Sequence, residues 1–181
     1  MKNNLFWWEI TGIFVIFILG SLWHFVFEWS GGSFFLSLIA PVNESVWEHF
    51  KLGLFPSLVY SLVAYYYVGR NQPNFVAART VALYLIPIAT AALYYLYQAV
   101  FLKESLAVDI FIFFLSVVIA QIASYLVMTR IQPLPPSFNY VAVLAGLALF
   151  ALFAATTYYP PHMEVFRDSN TGEFGAHLYS E

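Results

Sequence analysis

Three stretches of the chain carry residue types able to do chemistry. The first is His24-Phe25-Val26-Phe27-Glu28, an imidazole and a carboxylate four residues apart. On a helix such a pair shares one face, about 5–6 Å apart. The second, after Pro41, is Asn43-Glu44-Ser45-Val46-Trp47-Glu48-His49-Phe50-Lys51, with five polar groups (Asn43, Glu44, Glu48, His49, Lys51) in nine residues. The third is the tail after Tyr159, with Pro160-Pro161-His162, Glu164, Phe166, Asp168, Gly172 and Gly175. Imidazoles and carboxylates in a chain without cysteine suit Zn2+ or another divalent ion. His24, His49 and His162 are predicted to converge as metal ligands, with Glu28 or Asp168 completing the shell. Glu44 or Glu48 would then be the general base on a metal-bound water, with Asn43 and Trp47 as supporting groups; in a metal-free site Glu and His would do the acid–base work with Lys51 as an electrophile. No H-E-x-x-H pair is present, so the metal rests on convergence of distant stretches.

Each stretch also has a plainer reading. Ser45-x-x-Glu48 is a capping box, and acids suit a helix N-terminus. A cap uses two of these groups and leaves Glu44, His49 and Lys51 unexplained. The His24–Glu28 pair can serve to orient a helix near the headgroups, since single exposed pairs contribute little. In the tail, Pro160-Pro161 ends a helix, and Asp168–Gly172 reads as a tight turn between two aromatic-bearing arms, a small hairpin lid, where the plainer reading is a disordered outer tail.

The elements that must position these groups follow from composition. Of 181 residues, 61% are hydrophobic and 9% charged, with net charge −3. A soluble domain carries about 25% charged residues, so this chain cannot clothe a globule for water. Disorder is excluded by the same apolar content. Seven Lys and Arg in the whole chain exclude a nucleic-acid footprint. The absence of cysteine removes disulfides and thiolate sites.

Five apolar stretches approach the ~20 residues needed to cross a bilayer: 5–29, 47–68, 75–101, 106–128 and 140–158. Backbone polar groups in lipid must be satisfied internally, so these are predicted helices. The expected architecture is an all-α integral membrane bundle of five helices spanning residues 1–158, followed by an extramembrane tail, 159–181, packed on the bundle mouth. Residues 34–40 are apolar but too short to span, and read as a re-entrant or interfacial piece. Trp8 to Trp29 is roughly 31 Å of continuous helix, matching a hydrocarbon core of about 30 Å. The alanines around Gly146 suit close helix packing, either within the chain or in a homo-oligomer.

On this five-helix map all four histidines and nine of the ten acids fall on one side, with Glu9 alone on the other. Lys2, Arg70, Arg79 and Arg130 lie on the amino-terminal side, against Lys51, Lys103 and Arg167. The positive-inside rule then predicts a cytoplasmic amino terminus and an extracytoplasmic carboxyl terminus. Arg79, a few residues into its helix, is expected to snorkel back to the interface.

The Asn43-Glu44-Ser45-Val46-Trp47-Glu48-His49-x-Lys51 run, with His24-x-x-x-Glu28 and the Pro160-Pro161-His162…Phe166-x-Asp168…Gly172…Gly175 tail, resembles a family of small multi-pass bacterial membrane proteins catalogued as a domain of unknown function. The resemblance covers essentially the whole chain. It implies that the three stretches belong together and brings no activity. The residues themselves favour a metal-dependent, hydrolase-like enzyme acting on a membrane lipid or lipid-linked substrate at the outer interface. The alternatives are a proton- or ion-coupled transporter or channel, and a membrane assembly subunit.

Overall fold

A computed structural model describes residues 2–102 and 105–176. The expectations placed on Lys103, Glu104, His177 and Glu181 therefore lie outside the described residues. Eight α-helices make up most of what is described: α1 (Lys2–Trp23), α2 (Val26–Trp29), α3 (Phe34–Ser37), α4 (Val46–His49), α5 (Lys51–Tyr67), α6 (Phe75–Phe101), α7 (Leu106–Arg130) and α8 (Ser137–Tyr158). Among the described residues the only extended pairing is one antiparallel bridge, Arg167 with Phe174. Helices α6, α7 and α8, with Asn4–Trp23 of α1, are long and apolar enough to cross a membrane. Helix α5 is shorter, at 17 residues, and is the most enclosed of the long helices.

The distribution of polarity is that of a protein dissolved in lipid. Ile18, Leu62, Ile88, Leu96, Leu144 and Leu147 point outward and are exposed, whereas Glu9, Glu48, Lys51, Arg79 and Gln121 are buried. In water the opposite arrangement would prevail. Helix α1 packs on α5 and α7, and α6 packs on α5, α7 and α8. The α1–α5 approach depends on one chemical detail. Pro56 has no N–H, so the carbonyl of Leu52, four residues earlier, has no helical partner from it. Gly20 of α1 lies against that carbonyl: a Cβ at position 20 would sit 2.4 Å from Leu52 O and 2.5 Å from Phe113. Gly12 plays the same part beside α7, where a Cβ would fall 2.1 Å from the Gln121 side chain. At Gly146 a Cβ would meet nothing within 4 Å, so within the chain the close approach that requires a glycine is on α1. Helix α8 is met by hydroxyls of α6, with Thr80 and Tyr84 donating to the carbonyls of Ala142 and Ala145.

Two expectations about the helices need correction. The stretch 5–29 is not one helix. It breaks at His24 and Phe25, where a turn separates α1 from α2, so Trp8 and Trp29 do not bracket a continuous rod. Arg79 does not snorkel. Its Nη2 donates to Glu9 Oε1 at 2.6 Å, and its Nη1 donates to Glu9 Oε2 at 3.3 Å and Gln121 Oε1 at 3.0 Å. Gln121 in turn donates to the backbone carbonyl of Glu9 at 3.2 Å. The guanidinium also lies over the Phe75 ring, 5.2 Å from its centroid. A fork with partners on two neighbouring helices has no reason to reach for water.

Candidate metal centre

The site is built where the chain leaves α1 and re-enters at α4. Gly31 and Gly32, with φ of 69° and 81°, take left-handed backbone and return the chain after α2 into α3. The chain then passes through Pro41–Glu44 to the N-terminus of α4. Ser45 is the N-cap, its hydroxyl accepting from the Glu48 N–H at 3.2 Å. The return arm of the expected capping box is redirected. Glu48 Oε2 accepts from the Val42 N–H at 3.1 Å, while the Ser45 N–H goes to Asn43 Oδ1 at 3.0 Å. Glu44 thus precedes the cap and does not share a helix face with Glu48. Its side chain is free to turn to α1.

It turns to two imidazoles. Glu44 Oε2 lies 3.3 Å from His49 Nε2 and 3.7 Å from His24 Nε2. One donor atom from each of His24, Glu44 and His49 falls within 4.8 Å of the others. The two rings meet edge to face, with centroids 5.2 Å apart. His49 Nδ1 lies 2.8 Å from the Ser45 carbonyl, which only accepts, so Nδ1 carries a proton and donates it there. A neutral His49 would then present the Nε2 lone pair to a carboxylate oxygen. Two acceptors facing one another at this distance need a cation between or upon them, either a proton on the ring or a metal ion. A backbone carbonyl fixing Nδ1–H and leaving Nε2 as donor is the usual outer support of a metal-bound histidine.

About a third of each of these three side chains is exposed, and His24 and Glu44 open on a cleft of about 650 Å3. Phe25, Phe27, Glu28, Gly31, Gly32 and Pro41 also line it. Glu28 therefore faces the same cleft as His24 but lies across the helix break, and His24 pairs with Glu44 rather than with Glu28.

Glu48 and Lys51 occupy a different place. Lys51 is wholly buried, with Nζ donating to Glu48 Oε2 at 2.7 Å, Thr157 Oγ1 at 2.6 Å, and the carbonyls of Ser37 and Ala40 at 2.9 and 3.3 Å. The Thr157 hydroxyl lies 3.1 Å from Glu48 Oε1. This hub ties α3, α4 and α8 together beneath the cleft. Trp47 fills the neighbouring gap, stacked between Phe153 and Phe166 with centroids 4.7 and 4.6 Å away, and its Nε1 donates to Thr156.

The tail folds back on the same loop. His162 is exposed and stacks on Phe174 at 4.8 Å, outside the His24–Glu44–His49 group. Asp168 is buried and binds backbone: Oδ1 accepts from the N–H groups of Asn170 and Thr171, and Oδ2 from the Glu44 N–H at 3.4 Å. Asn43 donates to the Gly175 carbonyl at 3.0 Å.

The ring N–H groups of His24 and then His49 hold the Glu44 carboxyl well below the usual carboxylate range, against the opposing effect of its partial burial. A carboxyl with a lowered folded-state pKa adds stability that is complete above its ordinary value of 4.5 and is lost as pH falls through the folded value. With chelator present, the wild-type thermal midpoint is therefore expected to exceed that of Glu44→Gln at pH 6. The gap should close progressively below pH 4.5. A gap independent of pH would show that the carboxylate charge contributes nothing.

None of the curated proteins compared with the chain matches it, and none of the solved structures does. The family comparison does find a match, with a family of unknown function (DUF6512) over residues 1–176 of the 181. The chain belongs to that family.

Proposed function

We propose that this protein holds a divalent metal ion, Zn2+ fitting best, on His24, Glu44 and His49, and uses it as a membrane hydrolase acting on a lipid or lipid-linked ester or amide. The observation that carries the reading is the convergence of two imidazole Nε2 atoms on one carboxylate oxygen at the wall of an open cleft. Two histidines and a carboxylate are a Zn2+ ligand set, and three protein ligands leave a fourth position for water or substrate. Glu28, exposed on the cleft wall, is the base best placed to take a proton from that water and return it to the leaving group. Glu48 and Lys51 act beneath the site as its support, and Asp168 and His162 belong to the tail that covers it.

We place this site at the outer face. Helix α5 makes the fifth crossing alongside the four longer helices, α2 and α3 lie at the interface, and the described tail, residues 159–176, is on the outer side. With Lys51 and Arg79 consumed in buried pairs, the remaining cations of the sequence number three on the amino-terminal side (Lys2, Arg70, Arg130) against two (Lys103, Arg167). This supports a cytoplasmic amino terminus.

The protein purified in mild detergent without chelator is expected to carry about one equivalent of metal, and His49→Ala is expected to lose it. Vesicles of ester-bearing phospholipid should be hydrolysed by the wild type and not by His49→Ala or Glu28→Gln. A wild type free of metal after Zn2+ reconstitution would overturn the metal reading. Stoichiometric metal with no hydrolysis of ester or amide lipids would overturn the hydrolase reading alone. A second reading, proton-coupled transport, draws support from the Glu9–Arg79–Gln121 cluster between α1, α6 and α7. Proton flux in liposomes, unaffected by His49→Ala, would favour it.

A further inference from the structure

We infer that the carboxy-terminal hairpin is a positioning element of the metal site, with Asp168 setting the backbone of Glu44 and so aiming its carboxylate at the two imidazoles; this rests on the metal reading above. Glu44 sits in a loop, and nothing in its own helix fixes it, because α4 begins only at Val46. Both of its backbone polar groups are instead taken by the hairpin. Asp168 Oδ2 accepts from the Glu44 N–H at 3.4 Å, and the Ser169 hydroxyl donates to the Glu44 carbonyl at 3.3 Å.

The hairpin is rigid enough for this role. Asp168 Oδ1 accepts from the N–H groups of Asn170 and Thr171 at 2.7 and 3.0 Å, and the turn closes with Gly172 N–H to the Asp168 carbonyl at 2.9 Å. Gly172 has φ of 75°, a conformation that favours glycine. The hairpin is anchored at both ends, to α4 and to the end of α8. Phe166 packs on Trp47, and the Ala176 N–H donates to the Thr157 carbonyl at 2.9 Å. A ligand held on a loop loses affinity when that loop samples other positions, since ordering it becomes part of the binding free energy. By clamping Glu44 from both sides, the hairpin meets that requirement before the metal arrives.

The two oxygens of Asp168 have separate duties, which makes the test selective. In Asp168→Asn the amide oxygen can keep the turn, while the amide nitrogen presents a donor where the Glu44 N–H needs an acceptor. Full-length protein, stripped of metal, is titrated with Co2+ alone and followed by its visible absorption. Asp168→Asn is expected to bind Co2+ about 10-fold more weakly and with a shifted absorption envelope. Its thermal midpoint in chelator should stay near that of the wild type. Ser169→Ala, which leaves every charge in place, is expected to weaken Co2+ binding by about 2- to 5-fold. The shifted envelope reports altered ligand geometry, which the loss of a distant charge would not produce. Wild-type affinity and spectrum in both variants would overturn the inference while leaving the metal reading intact. A wild type that takes up no Co2+ would remove both.

Discussion

Lys51→Ala is expected to destabilise the protein by about 3–5 kcal/mol, the usual result of removing one partner from a buried, hydrogen-bonded ion pair. The Nζ donates to Glu48, Thr157 and two backbone carbonyls, and no part of Lys51 reaches solvent. Its loss leaves the Glu48 carboxylate buried with only the Val42 N–H and the Thr157 hydroxyl, and leaves the Ser37 and Ala40 carbonyls without a donor. For a chain of this length the thermal midpoint should fall by on the order of 10 °C. The double variant Lys51→Met/Glu48→Gln should recover a large part of this fall, because it removes the uncompensated charge. Lys51→Ala should also weaken metal binding. The carbonyls it holds belong to the segment that leads into Pro41–Glu44, so releasing them loosens the loop that carries Glu44. A Lys51→Ala variant as stable as the wild type would mean that Glu48 finds another partner or takes up a proton.

The long apolar runs made the lipid-facing helices readable, since a run of more than 20 apolar residues has few other stable fates. The cap at Ser45 was readable for a similar reason: Ser-x-x-Glu next to Pro41 and Asn43 is local chemistry. The His24–Glu44–His49 group was readable only in part. His24 and His49 were named as ligands, and they do meet. The residue between them was assigned a different part, because Glu44 and Glu48 look alike as an i, i+4 pair. Which one enters a helix depends on where the cap falls, and that is decided by the Glu48 N–H donating to the Ser45 hydroxyl, which counts residues from 45 and not from 44. His162 carried the right type but sits on an arm whose ring stacks on Phe174. Asp168 looked like a ligand because the partner of its second oxygen, the Glu44 N–H more than a hundred residues away, leaves no trace in residue type, although Asn170 and Thr171 in its own turn take the first. Arg79 shows the same limit. Spacing along one helix favours snorkelling, and only the packing of α1 and α7 against α6 reveals that the fork already has Glu9 and Gln121. A glutamate and an arginine 70 residues apart, each within a turn or two of a helix end, were the one available signal.

Arg79→Leu is expected to produce a loss of stability comparable to that of Lys51→Ala, about 3–5 kcal/mol, with one difference that separates the two regions. Glu9 would be left 3% exposed among apolar side chains, with its guanidinium partner gone and only neutral groups nearby. Gln121 would lose the donor to its Oε1, and with it a reason to hold the orientation in which it binds the Glu9 carbonyl. Three helices meet at this cluster, so α1, α6 and α7 should loosen together. His24 of the His24–Glu44–His49 group lies just past the end of α1, fifteen residues after Glu9, roughly 22 Å away at the helical rise. Its supports come from α4, α8 and the hairpin, whereas the Arg79 guanidinium donates to α1 and α7. Co2+ affinity measured on the folded fraction should therefore stay within about 2-fold of the wild type, since distant sites without shared partners add independently. The Glu9→Gln/Arg79→Leu double variant should regain part of the stability by removing the stranded charge. Equal losses of stability and of metal affinity in Arg79→Leu would show instead that the two polar centres are coupled through α1.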